Sequence, residues 1–146
     1  MAFTSILVPT DFSDGSIAAV QLAVELAAIH TAAVTLLHIG VDPYLQATTG
    51  YGNTAVALSE LAEQVESDIQ AHLEKIQAEF IPDAIPSSIR LRQGFPPQEI
   101  LEEVDEGGHD LVVMGTHGRT GLKRVLLGSV AERVIRGCPV PVLVTR

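Results

Sequence analysis

The feature that most constrains this chain is a regular alternation of short apolar runs with helix-length segments. Ile6-Leu7-Val8 is a short apolar run that ends at Pro9-Thr10-Asp11. From Asp14 to about Thr31 the chain is rich in Ala, Leu and Val, with Gln21 and Glu25 marking one polar stripe. That composition reads as a largely buried helix. Val34 to Ile39 is a second strand, and residues 42–54, with Gly50, Gly52 and Asn53, read as a mobile loop. The clearest helix runs from about Thr54 to Phe80. Leu58, Leu61, Val65, Ile69, Ile76 and Phe80 follow helical spacing, while Glu60, Glu63, Glu66, Gln70, Glu74 and Gln77 face away. Ile89 to Arg92 alternates apolar with basic residues. Pro96-Pro97 opens a short helix carrying Ile100, Leu101 and Val104 and closed by Gly107-Gly108. Leu111 to Met114 is a fourth strand, a glycine-rich segment from Gly115 to Gly121 follows it, a helix runs to about Arg136, and Val140 to Thr145 is a fifth strand.

Strands separated by helices are joined by crossover connections, which makes the sheet parallel and the fold class α/β. Strands one, two and four are continuous apolar runs, as expected where both faces are covered. Strand three carries Arg90 and Arg92 on one side and suits an edge. Strand five has Pro139 at its entrance and Pro141 within it, and proline cannot donate to a ladder, so it suits the other edge. The order 3-2-1-4-5 satisfies both: an open five-stranded parallel sheet with helices on both faces, Rossmann-like. In that order the winding reverses between strands one and four, and ligands bind at their carboxyl ends. The segments there are Pro9-Thr10-Asp11 and Gly115-Thr116-His117-Gly118.

Composition agrees with one domain over residues 1–146: 47% of the chain is apolar and 18% charged, enough for a sizeable core. No apolar run approaches the ~20 residues that span a bilayer. No basic-then-apolar leader is seen at the N-terminus, and the single cysteine, Cys138, excludes an internal disulfide framework. A cytoplasmic protein without membrane contact is expected. The net charge is −9, yet from Gly115 to Arg146 six basic residues stand against one acid, Glu132. An acidic body repels nucleic acid. The local basic stretch suits a small anion, or is simply a solvated helix face.

Within that stretch, Gly115 and Gly118 are followed after nine residues by Gly128-Ser129. Closely spaced glycines let the backbone approach a ligand, and a helix starting near Gly128-Ser129 would present free N–H groups and the positive end of its dipole to phosphate. Arg119, Lys123 and Arg124 lie between the glycine clusters and could screen phosphate charge. An acid just after strand one, Asp11, can accept hydrogen bonds from both ribose hydroxyls. Ser13 and Asp14 are better placed to cap the first helix, which would free Asp11 for that task.

The G-x-x-G, nine residues, G-S pattern is neither a P-loop nor a dinucleotide fingerprint. It resembles the signature of the ATP-binding branch of the universal stress protein family. The likeness spans the chain, with Ile6 to Asp11 at the start, Leu36-Leu37-His38-Ile39, Gly94-Phe95-Pro96, Met114 before the glycines and Pro-Val-Leu-Val near the end. It implies a dimerising open α/β fold and a nucleotide-dependent stress-response switch with little or no hydrolysis. It further implies that Asp11 contacts ribose, Pro9 and Ile39 flank adenine, and Met114 and Gly115 line the base pocket. His117, Gly118, Gly128, Ser129 and Val130 would hold the phosphates. Mg²⁺ would come with ATP, held through the phosphates rather than by a protein cage. The apolar edge strand (Val140, Val142, Leu143, Val144) is expected to pair with its mate in a homodimer.

Other chemistries have less support. Ser129, His117 and Asp11 match a hydrolase triad by residue type alone, but there is no G-x-S-x-G elbow. His30, His38, His72 and His109 show no zinc-site spacing. Cys138 reads as a buried small residue rather than a redox thiol. A slow ATPase or phosphohydrolase on the same fold is the alternative function. A flavodoxin-like carrier lacks stacking aromatics in the crevice segments apart from Phe12.

Overall fold

The computed structural model describes residues 2–40, 55–116 and 127–146. The loop expected at 42–54 and most of the glycine-rich segment lie outside them. The elements run β1 (Ser5–Pro9), α1 (Asp14–His30), β2 (Ala33–Gly40), α2 (Ala55–Phe80), β3 (Ser87–Gln93), α3 (Pro96–Gly107), β4 (Leu111–Gly115), α4 (Ser129–Gly137) and β5 (Val142–Thr145). The five strands form one sheet in the order β3-β2-β1-β4-β5, with every neighbouring pair parallel.

β1, β2 and β4 read as continuous apolar runs because both faces are covered. Ile6, Val8, Val34, Leu36, Leu111 and Val113 pack on one face with Ala19, Val20, Ala23 and Ala27 of α1 and Leu73 and Ile76 of α2. Leu7, Leu37, Val112 and Met114 point to the other face, against Ile100 and Val104 of α3 and Ala131 and Val134 of α4. The small residues of α1 let it lie close to the sheet. Ser13 caps this helix, accepting a hydrogen bond from the Ser16 N–H, and Thr31 ends it in the left-handed region.

One boundary and one buried face differ from the sequence reading for physical reasons. β5 begins at Val142, so Val140 and Pro141 precede it. Pro141 has no N–H to donate, and it meets β4 only through its carbonyl, which accepts from the Val112 N–H at 3.0 Å. In α2 the expected apolar face is buried only toward its C-terminal end. Leu73 and Ile76 are enclosed, whereas Leu61 and Val65 remain 56% and 45% exposed. The side chain of Leu58 lies outside the described residues.

The edge strand β3 is fixed to α3 by charge. Arg92 Nε donates to Glu99 Oε2 at 2.8 Å, Nη1 to Glu106 at 2.8 Å and Glu103 at 3.1 Å, and Nη2 to Glu102 at 3.1 Å. The carboxylates of Glu106 and Glu99 outweigh the opposing effect of burial and hold the guanidinium more basic than usual. This contact matters for the site below, since α3 carries Pro96 and Ile100 to it.

At the amino end of the sheet Asp110 ties β1 to the start of β4. Its Oδ2 accepts from the Thr4 N–H and hydroxyl, both at 2.8 Å, and its Oδ1 from the Ser5 N–H at 3.0 Å. Burial pushes this carboxyl up, but the Ser5 and Thr4 donors together outweigh it and hold the group below the ordinary value. A lowered carboxyl pKa stabilises the fold fully above the unfolded value of about 3.9 and loses that contribution as pH falls through the folded value. The gap in urea midpoint between wild type and Asp110→Asn should therefore be open at neutral pH and close in acid. A gap constant down to pH 2 would contradict this account.

Candidate functional site

A cavity of about 340 Å³ opens at the carboxyl ends of β1 and β4, where the winding of the sheet reverses. Pro9, Thr10 and Asp11 line it from the end of β1, and Ile39 from β2. Met114 and Gly115 line it from β4, and Gly128, Ser129 and Val130 from the start of α4. Every described residue expected at the site therefore borders one cavity. His117, Gly118 and Arg119, with Lys123 and Arg124, lie outside the described residues.

The first turn of α4 faces this space. Gly128 is the N-cap residue, and its carbonyl accepts from the Glu132 N–H at 2.9 Å. The N–H groups of Ser129, Val130 and Ala131 thus precede the first intrahelical bond and have no acceptor within the helix. All three residues line the cavity. The Gly128 N–H itself donates to the Thr116 carbonyl at 2.6 Å. Donors for an anion are therefore the three residues after the glycine rather than the glycine itself. That bond, with the Thr116 N–H donating to the Thr145 carbonyl at 2.8 Å, fixes the end of β4 against α4 and β5.

Asp11 is held differently from the sequence reading. Ser13 does cap α1, but this does not leave Asp11 disengaged. Asp11 Oδ1 accepts from the Ser13 N–H at 3.0 Å and also from the Ser13 hydroxyl. This is a side-chain turn of the Asx type. Phe12, within it, has a φ of 66°. A bulky residue in the left-handed region costs of order 1–3 kcal/mol and persists only where its surroundings impose it.

Several further residues, to which the sequence reading assigns no ligand contact, line the cavity, although Thr116 stands in the crevice segment named there. Ser13 and Ser16 enter from the start of α1, His38 from β2, Thr116 from the end of β4, and Pro96 and Ile100 from α3. Thr10 Oγ1 and Ser16 Oγ lie 2.9 Å apart, and both residues are buried. The signal for Ser16 is its place three residues after the N-cap, inside the first turn of a helix that starts at the crevice. Ile100 arrives through tertiary packing and carries no local signal, and Pro96 is marked only by the Gly94-Phe95-Pro96 likeness.

Close relatives share the whole length of this chain. Universal stress protein MJ0531 of Methanocaldococcus jannaschii is 36% identical over 146 residues, covering 99% of this chain and 82% of that protein. Universal stress protein YxiE of Bacillus subtilis is 31% identical over 147 residues, covering 99% of each. Among solved structures, that of MJ0577 superposes with a TM-score of 0.83 at 29% identity, covering 99% of this chain and 96% of that one. A universal stress protein solved in complex with cAMP superposes with a TM-score of 0.68 at 25% identity, covering 100% and 98%. The fold agrees with these structures, the match to the family runs over residues 2–146, and the chain belongs to the universal stress protein family.

Proposed function

We propose that this protein binds an adenine nucleotide, ATP with Mg²⁺, in the cavity at the carboxyl ends of β1 and β4. It then acts as a nucleotide-dependent switch in the cytoplasmic stress response, with little or no hydrolysis. The observation that carries this reading is the convergence on one cavity of Asp11, an apolar floor from Ile39 and Met114, and the free first turn of α4. The carboxylate suits ribose hydroxyls, the apolar floor suits a purine, and the helix N-terminus suits phosphate. The related protein solved with cAMP supports the adenine nucleotide class. Mg²⁺ would be carried by phosphate oxygens and water.

Calorimetric titration of the wild type, Asp11→Ala and Ser129→Ala with adenosine and Mg-ATP tests the reading. Asp11→Ala should weaken both ligands. Ser129→Ala removes one hydrogen bond to a charged acceptor and should cost ATP about 1.5–3 kcal/mol while sparing adenosine. Folded wild-type protein that gives no heat with millimolar Mg-ATP, and carries no nucleotide from purification, would refute the proposal. Release of ADP during a long incubation would favour the slow ATPase instead.

The proposal extends to assembly. β5 is an edge strand, and Leu143 on it is 39% exposed. Unpaired apolar edges invite pairing. A homodimer is proposed in which β5 of each copy meets its mate antiparallel about a two-fold axis, with Val140 and Val144 flanking the contact. Val142→Lys should shift the sedimentation profile toward monomer. A wild type that is wholly monomeric at tens of micromolar, roughly the regime of weak dimers, would rule the arrangement out.

A further inference from the structure

The turn that holds Asp11 is braced by aromatic rings from two other elements. The Phe12 ring stacks on the imidazole of His72 with centroids 4.3 Å apart and planes 2° from parallel. It also stacks on His38, with centroids 4.7 Å apart and planes at 26°. His38 is itself fixed, since its Nδ1 lies 2.8 Å from the Thr10 carbonyl. A carbonyl only accepts, so Nδ1 carries the proton and donates. The Phe12 N–H donates to Thr10 Oγ1 at 3.2 Å, and the ring packs on the core cluster beside α1.

These contacts explain how a phenylalanine is kept at a φ of 66°. They also set the geometry on either side of it. With Phe12 in the left-handed region, the chain turns so that the Ser13 N–H and hydroxyl both reach Asp11 Oδ1. The carboxylate direction and the Phe12 conformation are therefore one coupled arrangement. Releasing the ring lets the turn relax and the carboxylate rotate.

We propose that Phe12, clamped by His38 and His72, is the positioning residue for Asp11 and sets the preference of the site for ribonucleosides over deoxyribonucleosides. The proposal rests on the nucleotide reading above and adds to it. Two hydroxyl donors on one carboxylate demand a fixed carboxylate plane, and a small rotation costs the second hydrogen bond. A 2′-deoxynucleoside offers only one of those hydroxyls, so it loses less when the carboxylate is loosened. His72 stands on α2, so this contact also links the position of that helix to ribose selectivity.

The test is the ratio of affinities for adenosine and 2′-deoxyadenosine, measured by calorimetry on the full chain. The variants are Phe12→Leu, His72→Ala and His72→Phe. The wild type should prefer adenosine. Loss of a ring pair should reduce that preference by roughly two- to tenfold in Phe12→Leu and His72→Ala. His72→Phe, which keeps a ring against Phe12, should retain it. His72 is exposed, so its substitution leaves the core intact even if Phe12→Leu folds poorly. A general loss of stability would weaken both nucleosides together and leave the ratio unchanged. An unchanged ratio in Phe12→Leu or His72→Ala overturns the proposal while the nucleotide reading stands. Wild-type protein that binds neither nucleoside fails the nucleotide reading, and equal binding of both fails the assignment of Asp11 to ribose; the proposal falls with either.

Discussion

A protein with valine at position 128 is expected to fold and to take up no ATP. The backbone at Gly128 tolerates a side chain, since its φ of −71° and ψ of 156° are extended values that any residue adopts. What valine loses in the fold is a good N-cap, at a cost of about 1 kcal/mol. In a domain of this size that lowers the melting temperature by roughly 2–4 °C. The loss in binding should be far larger. Gly128 borders the cavity immediately before three lining residues whose N–H groups have no acceptor within the helix. On the proposed reading the phosphates approach the backbone there, and a branched side chain fills that approach. Far-ultraviolet circular dichroism establishes folding, and titration with Mg-ATP reads affinity. Wild-type affinity in folded Gly128→Val would show that phosphate does not lie against the first turn of α4.

Much of this architecture is legible because local pattern and global fold agree. The prolines at the entrance to β5 and the alternating arginines of β3 mark the two edges. Once both edges are known, the strand order places the crevice between β1 and β4. Gly115, Gly128 and Ser129 then stand at the crevice. The rest escapes because distant parts of the chain decide it. Arg92 reads as one side of an edge strand, and nothing in the sequence marks that its side chain is only 19% exposed, because four glutamates of α3 converge on it. Leu61 and Val65 have the spacing of a core face, but the sheet beneath α2 covers only its later turns. The left-handed conformation of Phe12 has no sequence signal, since such positions normally announce themselves as Gly, Asn or Asp. Two of the rings packed against it, His38 and His72, lie 26 and 60 positions further along.

Gly115 is the second position where a single methyl group should have a large effect, and here the effect is on the fold. An added Cβ would lie 2.9 Å from both the carbonyl carbon and the oxygen of Gly15, and 3.2 Å from the Ser16 nitrogen. These are backbone atoms in the first turn of α1, so no side chain can swing aside, and the helix must move. The movement also strains the contact from Thr145 Oγ1 to the Gly15 carbonyl, 3.3 Å long. Overpacking of this kind typically costs about 1–3 kcal/mol. Gly40→Ala, at the end of β2, is the natural control. Among the described residues its Cβ would meet nothing nearer than Gln93 Cγ at 3.8 Å and the Arg92 carbonyl at 3.9 Å. Alanine there should be neutral or stabilise by about 0.4–1 kcal/mol, because it reduces the freedom of the unfolded chain. Urea denaturation of the two variants should therefore move their midpoints apart, with Gly115→Ala well below wild type and Gly40→Ala at or above it. Since the displaced turn carries Ser13 and Ser16 into the cavity, Gly115→Ala should also weaken adenosine. Equal midpoints for the two variants would mean that α1 yields at no cost, and that its close approach to β4 does not hold the site in shape.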